Sequence, residues 1–418
     1  MRLPVVESLA ISVSPMLRRT STLLLTSLAM VQCVWAGDLA VPYYGAKPGS
    51  IEKAKSRYIS GDKNVVPAVK KLITEADKAL KLTPPSVMDK SKIPTSGNKH
   101  DYISLAPYFW PDPTKADGLP YIRKDGETNP ESHDETNDDS PRLGRMGKAV
   151  ETLALAYYFT KEDKYAEGAV KLVRVWFLDA ETKMNPHLTY AQAIMGKNDG
   201  RGEGILEGRC LGEVIDAMSL LGRSRAWTEA DQKAFRSWMS AYYDWLMKSE
   251  NGKDERAAKN NHGSWFDVQT VQIALCLGKK DEAKRILESA WKNRFLLQIK
   301  SDGSQPLELA RTKSFDYSAM NLDALATLAN LGEHVGVDLW KKNLKEGKCL
   351  RKAIDFLVPY IDKPAKKWPY EQIKETSFAG KLHILRMASL AYDTPTYEAI
   401  LSKYDERTTA RLQFLFMK

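Results

Sequence analysis

The sequence predicts an all-α protein in which helical hairpins close into an (α/α) toroid around a central cleft. Over most of the chain the apolar residues recur at intervals of three and four, as at Leu143, Met146 and Val150, which is the spacing of a buried helix face. Short polar turns join these helices into consecutive hairpins, and such a series either opens into a solenoid or closes into a toroid. The long loops at 94–140 and 180–204 favour the toroid, because loops of that length in a compact domain are usually functional.

The hairpins can be placed along the chain. A helix is predicted to begin at Ser140, because Pro141 follows it and proline suits the first turn of a helix. No strand pattern interrupts the helices that come after it. We expect about six or seven hairpins in one domain that spans residues 37–418. Pairs are predicted at 204–222 with 228–249, at 265–277 with 281–299, and at 316–331 with 335–344.

Residues 1–36 predict a secretory signal peptide that is removed from the mature protein. Arg18 and Arg19 precede the apolar run "LLLTSLAMVQCVWA", which ends in small residues. The run is too short to span a bilayer, and Met16 offers this signal a more usual start than Met1. We therefore expect an exported protein, secreted or periplasmic, that is not held at a membrane.

Composition and charge limit the class of partner. The net charge of +9 suits an acidic partner. Nucleic acid is disfavoured because the Lys and Arg residues are dispersed, with no basic stripe or nucleic-acid motif, so acidic polysaccharide is the expected substrate. Outside the signal, Cys210, Cys276 and Cys349 are odd in number, which predicts no disulfide framework.

An acidic run at 132–140 is the candidate for a metal site. Its spacing does not match a calcium-binding EF-hand loop, which needs acidic or amide residues at alternating positions and a central glycine. We expect a solvated loop before the helix at Ser140, and we expect neither a metal nor another cofactor.

Three segments concentrate unusual polar and aromatic residues, and each is weak when taken alone. Asn261 could simply cap the helix that follows it, and His262 could be a hydrogen-bonded residue of that helix start. Arg311 could be a surface ion-pair partner and Tyr317 a core aromatic with a solvated hydroxyl. The segments are "PYFWPDP" at 107–113, "NNHGSW" at 260–265 and "PLELARTKSFDY" at 306–317.

Together these segments resemble the alginate-lyase-domain family of polysaccharide lyases. Members of that family pair an Asn-Asn-His motif with an Arg and a Tyr on the next helical pair, and here "NNHGSWFDVQ" is followed by "ELARTKSFDY". The resemblance implies an (α/α) toroid and eliminative cleavage of a uronic-acid polymer, with alginate as the leading candidate. The segment at 118–132 is not a feature of the better-known alginate lyases, which points to a different subfamily. The resemblance carries over an active site of Asn261, His262, Arg311 and Tyr317.

β-Elimination explains why these residue types are needed. The reaction removes the C5 proton of a uronate and expels the sugar oxygen at C4, so the site must neutralise the neighbouring carboxylate. Asn261 can donate a hydrogen bond to this carboxylate and Arg311 can supply charge with a planar fork. His262 and Tyr317 would transfer the protons, with the Tyr317 pKa lowered by nearby cations. Glu308 is expected to orient Arg311 or His262 rather than to react.

The stereochemistry of the uronate suggests how the proton transfer is divided. In mannuronate and glucuronate the C5 proton and the C4 oxygen are disposed for syn elimination or nearly so, and Tyr317 can serve as both base and acid. In guluronate the C5 proton lies on the opposite face of the ring. A second group must then remove it, and His262 is the expected base.

Other residues are predicted to bind the substrate. Tyr108, Trp110 and Trp265 offer flat faces for sugar rings, and Arg201 and Arg209 could pair with carboxylates at neighbouring subsites. Arg209 could equally be a charge on a helix surface.

Alternatives from other classes stay open at this stage. The substrate could be glucuronan or another uronan in place of alginate. A glycoside hydrolase on the same fold would need two carboxylates facing each other across the cleft, and Asp316, Glu203 and Glu207 are available, but nothing in the sequence pairs them. A non-catalytic polysaccharide-binding protein would keep the cleft without the chemistry. A helical-repeat scaffold is disfavoured, because it seldom needs Asn-Asn-His beside an Arg and a Tyr.

Overall fold

Helices form most of the computed structural model, which describes residues 42–343, 347–361 and 367–417. The described residues fold as one compact unit, and the predicted all-α class is confirmed. Among them, no helix has both the length and the apolar character that a membrane span requires. The signal peptide predicted at 1–36 lies outside the described residues.

Two of the predicted hairpins are present. The predicted pair at 204–222 with 228–249 corresponds to helices Leu211–Leu221 (α5) and Glu229–Lys248 (α6), and the pair at 265–277 with 281–299 to helices Asn261–Cys276 (α8) and Lys280–Ala290 (α9). In chain order the helices are α1 (Ser50–Ile59), α2 (Val65–Ala79), α3 (Ser140–Thr160), α4 (Asp163–Val173), α5 (Leu211–Leu221), α6 (Glu229–Lys248), α7 (Glu250–Ala257), α8 (Asn261–Cys276) and α9 (Lys280–Ala290). They continue as α10 (Leu296–Gln298), α11 (Pro306–Leu309), α12 (Ser314–Glu333), α13 (Leu350–Leu357), α14 (Leu382–Tyr392), α15 (Pro395–Leu401), α16 (Glu406–Thr409) and α17 (Leu412–Leu415).

The helix predicted at 335–344 is wrong, because the described part of this segment is a series of turns between α12 and α13. Gly336 has a φ of 75°, a left-handed conformation that ends helical geometry and that glycine adopts without strain. Leu339 and Trp340 are both buried. The apolar spacing of this segment therefore reflects burial in the core and not a helix.

The described chain also has four short strands in its long loops. β1 pairs with β4 in parallel, with Ile103 opposite Tyr190, and β2 pairs with β3 in antiparallel fashion, with Trp110 opposite Ile122. β4 corrects the prediction that no strand follows Ser140, and its few residues are too short a run to reveal alternating burial. The strands are β1 (Ile103–Leu105), β2 (Phe109–Trp110), β3 (Ile122–Arg123) and β4 (Tyr190–Ala193).

The acidic run before α3 is only in part the solvated loop that we predicted, since Asp134 is exposed but Asp138 and Asp139 are both buried. Asp138 accepts a hydrogen bond from the backbone N–H of Leu105 at 2.9 Å, and Asp139 accepts one from Ile103 at 3.0 Å. Asp139 also forms a buried ion pair with the Lys90 ammonium at 3.0 Å. A buried carboxylate needs such donors to offset its lost hydration, and here they fasten β1 to the start of α3.

Helix α8 lies at the centre of the molecule. Of its 16 residues, 14 are buried, including the polar Asp267, Gln269 and Gln272. It packs against α5, α6, α9 and α12, while α3 packs against α2, α4 and α5. Because α8 lies between α5 and α12, its first turn is brought next to the segments that precede both of those helices.

Candidate active site

A cavity of about 870 Å³ lies beside the first turns of α8 and α12. Its walls come from the 3₁₀-helical segment Gly202–Cys210, from α7, and from the residues around β2. His262, Arg311 and Tyr317 all line this cavity. Three of the four residues predicted for the active site are therefore brought to one place.

The His262 imidazole is oriented by a buried carboxylate. Asn260, rather than Asn261, caps α8, because its side chain accepts a hydrogen bond from the His262 backbone N–H. Nδ1 of His262 lies 2.7 Å from Oε1 of Glu255, which is 2 % exposed. Burial raises the pKa of Glu255, and the hydrogen bond with His262 opposes that rise. With Nδ1–H donating to Glu255, Nε2 keeps a lone pair that can accept a proton.

Asn261 is completely buried and does not line the cavity. Its backbone N–H donates to Oε1 of Glu308 at 2.7 Å, and its Nδ2 donates to Oε2 at 2.8 Å. Burial raises the pKa of Glu308, while the two N–H donors lower it. Glu308 was expected to orient Arg311 or His262, and it orients Asn261 instead. A single carboxylate thus joins the start of α8 to α11.

Arg311, Tyr317 and Tyr108 form a connected group. Nη2 of Arg311 donates to the Tyr317 hydroxyl at 2.9 Å, and the guanidinium carbon lies 3.9 Å from the centroid of the Tyr317 ring. The Tyr317 hydroxyl donates to that of Tyr108 at 2.8 Å. Burial and the contact with Tyr108 raise the pKa of Tyr317, and Arg311 lowers it only in part. The net shift is therefore opposite to the one we expected, and Tyr317 is a neutral phenol at neutral pH.

Asp125, in the loop after β3, is a partner that the sequence analysis missed. Its carboxylate accepts hydrogen bonds from Nη2 and Nε of Arg311 at 2.7 and 3.1 Å. Burial raises the pKa of Asp125, but the hydrogen bonds and charge of Arg311 hold it well below its usual range. Gly126 has a φ of 76°, and any side chain there would collide with Thr312. The segment at 118–132, which the family resemblance does not cover, thus supplies the counter-ion of Arg311.

Three of the predicted substrate-binding residues line the cavity, namely Tyr108, Arg201 and Arg209. Arg201 pairs with Glu203 at 2.9 Å and donates to Oε1 of Gln192 at 2.7 Å. Arg209 is exposed, and its guanidinium forms no ion pair with any described residue. Because it has no such partner, Arg209 is available to bind an acidic ligand.

The other two predicted substrate-binding residues lie outside the cavity. Nε1 of Trp110 donates to the carbonyl of Glu127 at 2.9 Å, and the Lys124 ammonium lies 5.2 Å from the centroid of the indole ring. Trp265 lines a second, adjoining cavity, because it comes three positions after His262 and so lies about one turn further along α8.

A half-buried carboxyl group, Glu207, lies at the cavity, and a fully buried one, Asp138, interacts with it. Glu207 lines the cavity and accepts hydrogen bonds from the hydroxyls of Tyr102 and Ser104 at 2.8 and 2.6 Å. Burial raises the pKa of Glu207 to about 7. Burial and the charge of Glu207 raise the pKa of Asp138 to about 8. Both groups hold protons in the folded protein at a pH where an exposed carboxyl group has lost them.

Comparison with known proteins gives a consistent result. A family model described as alginate lyase matches residues 86–368. The crystal structure of an alginate lyase from Bacteroides ovatus is similar at 43% sequence identity and a TM-score of 0.84, over 90% of this chain and 99% of that one. No curated protein matches the chain.

Two more distant structures share the fold. Alginate lyase A1-III from Sphingomonas species A1 has a TM-score of 0.58 at 17% identity, over 91% of this chain and 98% of that one. A variant of A1-III complexed with a tetrasaccharide has a TM-score of 0.55 at 15% identity, over 91% and 97%.

The raised carboxyl pKa values predict that stability falls as the pH rises. A group whose pKa is raised by folding stabilises the protein fully below its unfolded pKa of about 4, and that contribution is lost as the pH rises through its folded pKa. The free energy of unfolding should therefore decline between pH 5 and pH 8 as Glu207 and Asp138 lose their protons. Urea unfolding across this range should show the decline, and Glu207→Gln should make it less steep.

The control is Glu127→Gln, because Glu127 is an exposed carboxylate. This variant should keep the wild-type pH dependence. An unchanged slope in Glu207→Gln would contradict the raised pKa of Glu207.

Proposed function

The chain belongs to the alginate lyase family and is a polysaccharide lyase, and from this premise we propose that it cleaves alginate by β-elimination in the cavity lined by His262, Arg311 and Tyr317. The observation that carries the proposal is the convergence of a neutral phenol, a guanidinium and an imidazole of fixed tautomer in this cavity. Elimination needs an acid for the C4 oxygen, a base for the C5 proton, and positive charge beside the uronate carboxylate.

Arg311 neutralises the uronate carboxylate in this proposal. Its Nε and Nη2 atoms are occupied by Asp125 and Tyr317, whereas Nη1 forms no hydrogen bond with any described residue. A guanidinium donor next to a developing negative charge is a strong stabilising group. Asn261 has its amide nitrogen committed to Glu308, so we assign it the role of holding the first turn of α8 in position.

Tyr317 and His262 transfer the protons. As a neutral phenol, Tyr317 can protonate the departing C4 oxygen. For guluronate, whose C5 proton lies on the opposite ring face, Nε2 of His262 is the proposed base. For mannuronate and glucuronate we propose that Tyr317 acts as both base and acid. In this role its phenol proton is first released to solvent, the phenolate then takes the C5 proton, and the same proton is delivered to the departing C4 oxygen. Arg311 and the Tyr108 hydroxyl can both donate to the phenolate, because hydroxyl hydrogens rotate.

We extend the proposal to the shape of the fold and the location of the protein. A toroid of six or seven hairpins is supported by contacts that link the two ends of the described chain to helices in different parts of the sequence. Asn330 of α12 donates to the carbonyl of Tyr44, whose N–H donates to Asp216 of α5. Near the other end, Arg411 pairs with Glu151 of α3. Export to the periplasm or outside the cell rests on the sequence of residues 1–36 alone.

A glycoside hydrolase is less well supported, because the candidate carboxylates have other partners. Glu203 pairs with Arg201, and Glu207 accepts hydrogen bonds from two hydroxyls. Asp316 accepts one from Gln372 and lines the second cavity. Glucuronan or another uronan remains the alternative substrate.

The proposal predicts an ultraviolet-absorbing product. Elimination creates a double bond between C4 and C5 in the new terminal sugar, so the purified protein should raise the ultraviolet absorbance of polymannuronate or polyguluronate solutions. Glucuronan should be tested beside them to separate the alternative substrates. New reducing ends without ultraviolet absorbance would show hydrolysis and would contradict elimination. If neither reducing ends nor absorbance appear, the protein binds the polymer without cleaving it.

The division of proton transfer predicts different results for two variants. Tyr317→Phe removes one hydroxyl with little change in volume, and it should reduce cleavage of every substrate by about a hundredfold or more. His262→Ala should abolish cleavage of polyguluronate and leave part of the activity on polymannuronate. Initial rates on block-pure polymers, with circular dichroism to check the fold, would test both statements.

Tyr58→Phe is a matched control, because Tyr58 lies on α1 and does not line the cavity. It should keep the wild-type rates. Full activity of Tyr317→Phe would remove Tyr317 from the mechanism, and equal losses of His262→Ala on both polymers would remove its substrate-dependent role.

A further inference from the structure

A second cavity of about 810 Å³ adjoins the active-site cavity, and Arg209, Cys210 and Met320 line both. We call it the second chamber. We propose that the second chamber binds sugar residues of the uronan chain beyond the point of cleavage, with Arg209 at the junction binding a uronate carboxylate. The inference rests on the proposed uronan-lyase function. It adds where the part of the substrate that does not react is bound.

Helix α8 connects the two cavities along one of its faces. His262 lines the active-site cavity, and Trp265, Val268 and Gln272 line the second chamber. These residues recur at three and four, so they lie along the same side of the helix. At 1.5 Å per residue, Gln272 lies about 15 Å from His262 along the helix axis. This distance is longer than one sugar ring.

Helix α12 makes the same connection from another side. Tyr317 lines the active-site cavity, Met320 lines both cavities, and Asp323 and Thr327 line the second chamber. Their spacing of three and four again defines one side of a helix. The two cavities therefore meet at Met320, and a chain held at Tyr317 points along α12 toward the second chamber.

Gln272 gives the second chamber a polar group that lacks a partner. The residue is 8 % exposed, and its amide lines the chamber without a hydrogen bond to any described residue. A side chain at Gly212 would collide with this amide, so the glycine preserves the room that it occupies. An amide that faces a chamber without a protein partner is open to a ligand that can donate and accept. Sugar hydroxyls both donate and accept, and they would satisfy both ends of the amide.

Two further groups suit a sugar. Trp265 is half-buried and lines the chamber, and its indole offers an apolar face to a sugar ring. Burial raises the pKa of Glu213 to about 7, so at neutral pH its carboxyl group can donate as well as accept.

Two of the other acidic groups of the second chamber are paired with cations, while Asp216 and Asp316 accept hydrogen bonds from the Tyr44 N–H and from Gln372. Asp323 accepts from His383 at 2.7 Å and pairs with Lys381 at 3.1 Å. Glu151 pairs with Arg411 at 2.5 Å. Arg209, which has no ion pair with a described residue, is therefore the cation best able to bind a uronate carboxylate at the junction.

The test is the dependence of cleavage on chain length. Oligouronates of increasing length should be cleaved by the wild-type protein with a kcat/KM that rises until the second chamber is filled. Gln272→Leu keeps the size and apolar stem of the side chain but removes the amide. The ratio of kcat/KM for long over short oligomers should fall by about two- to tenfold in this variant, as expected for lost hydrogen bonds.

Arg209→Gln is a second variant, which should fold normally because Arg209 is exposed, and it should lower the same ratio. Gln413→Leu makes the Gln272 substitution outside both cavities and should keep the wild-type ratio. A wild-type kcat/KM that does not rise with length, or a wild-type ratio in both chamber variants, would overturn the proposal.

A failure of the proposed function would be recognised separately. If no uronan is cleaved, calorimetric titration of a long oligouronate into the wild-type protein and Gln272→Leu still tests the second chamber. Weaker binding by the variant supports the chamber, and equal affinities contradict it.

Discussion

The site depends on one carboxylate that holds two helices together. Glu308 accepts the backbone N–H of Asn261 with one oxygen and its side-chain N–H with the other. These bonds fix the first turn of α8, which carries His262, against the segment that leads through Arg311 to α12 and Tyr317. Because Asn261 and Glu308 are both almost fully buried, water cannot easily replace either bond. The His262 imidazole and the Tyr317 phenol are thus positioned relative to each other by buried residues that do not line the cavity.

A similar principle governs the charges around the cavity. Glu255 orients His262, and Asp125 accepts two hydrogen bonds from Arg311. His262 and Arg311 therefore each have a carboxylate partner that limits their orientation without occupying all of their hydrogen-bonding atoms. Side chains held in this way lose little freedom when substrate binds, which favours catalysis. The remaining atoms, Nε2 of His262 and Nη1 of Arg311, are those that the proposed elimination uses.

The sequence was sufficient to predict the helical class, two hairpins, and six of the catalytic and substrate-binding residues that line the cavity. Periodic burial is a local signal, and it indicates the helices directly, whereas the catalytic residues were implied by the resemblance of the motifs to the alginate lyase family. The hydrogen-bond partners of the site residues were harder to predict. Asp125 lies almost two hundred residues before Arg311, and the Asp-Gly pair at 125–126 indicates a turn but not what the turn contacts. The apolar residues at 335–344 misled for the related reason that burial alone does not distinguish a helix from a packed turn.

The account is tested most directly by the rate of unsaturated product formation in Glu308→Gln. The substitution preserves size, but it replaces one accepting oxygen with an amide group that cannot accept the N–H of Asn261. With polymannuronate as substrate and circular dichroism as a check on the fold, the rate should fall by about a hundredfold, as expected when reacting groups move by about 1 Å. A folded variant that cleaves at the wild-type rate would contradict the central claim that this carboxylate positions the active site.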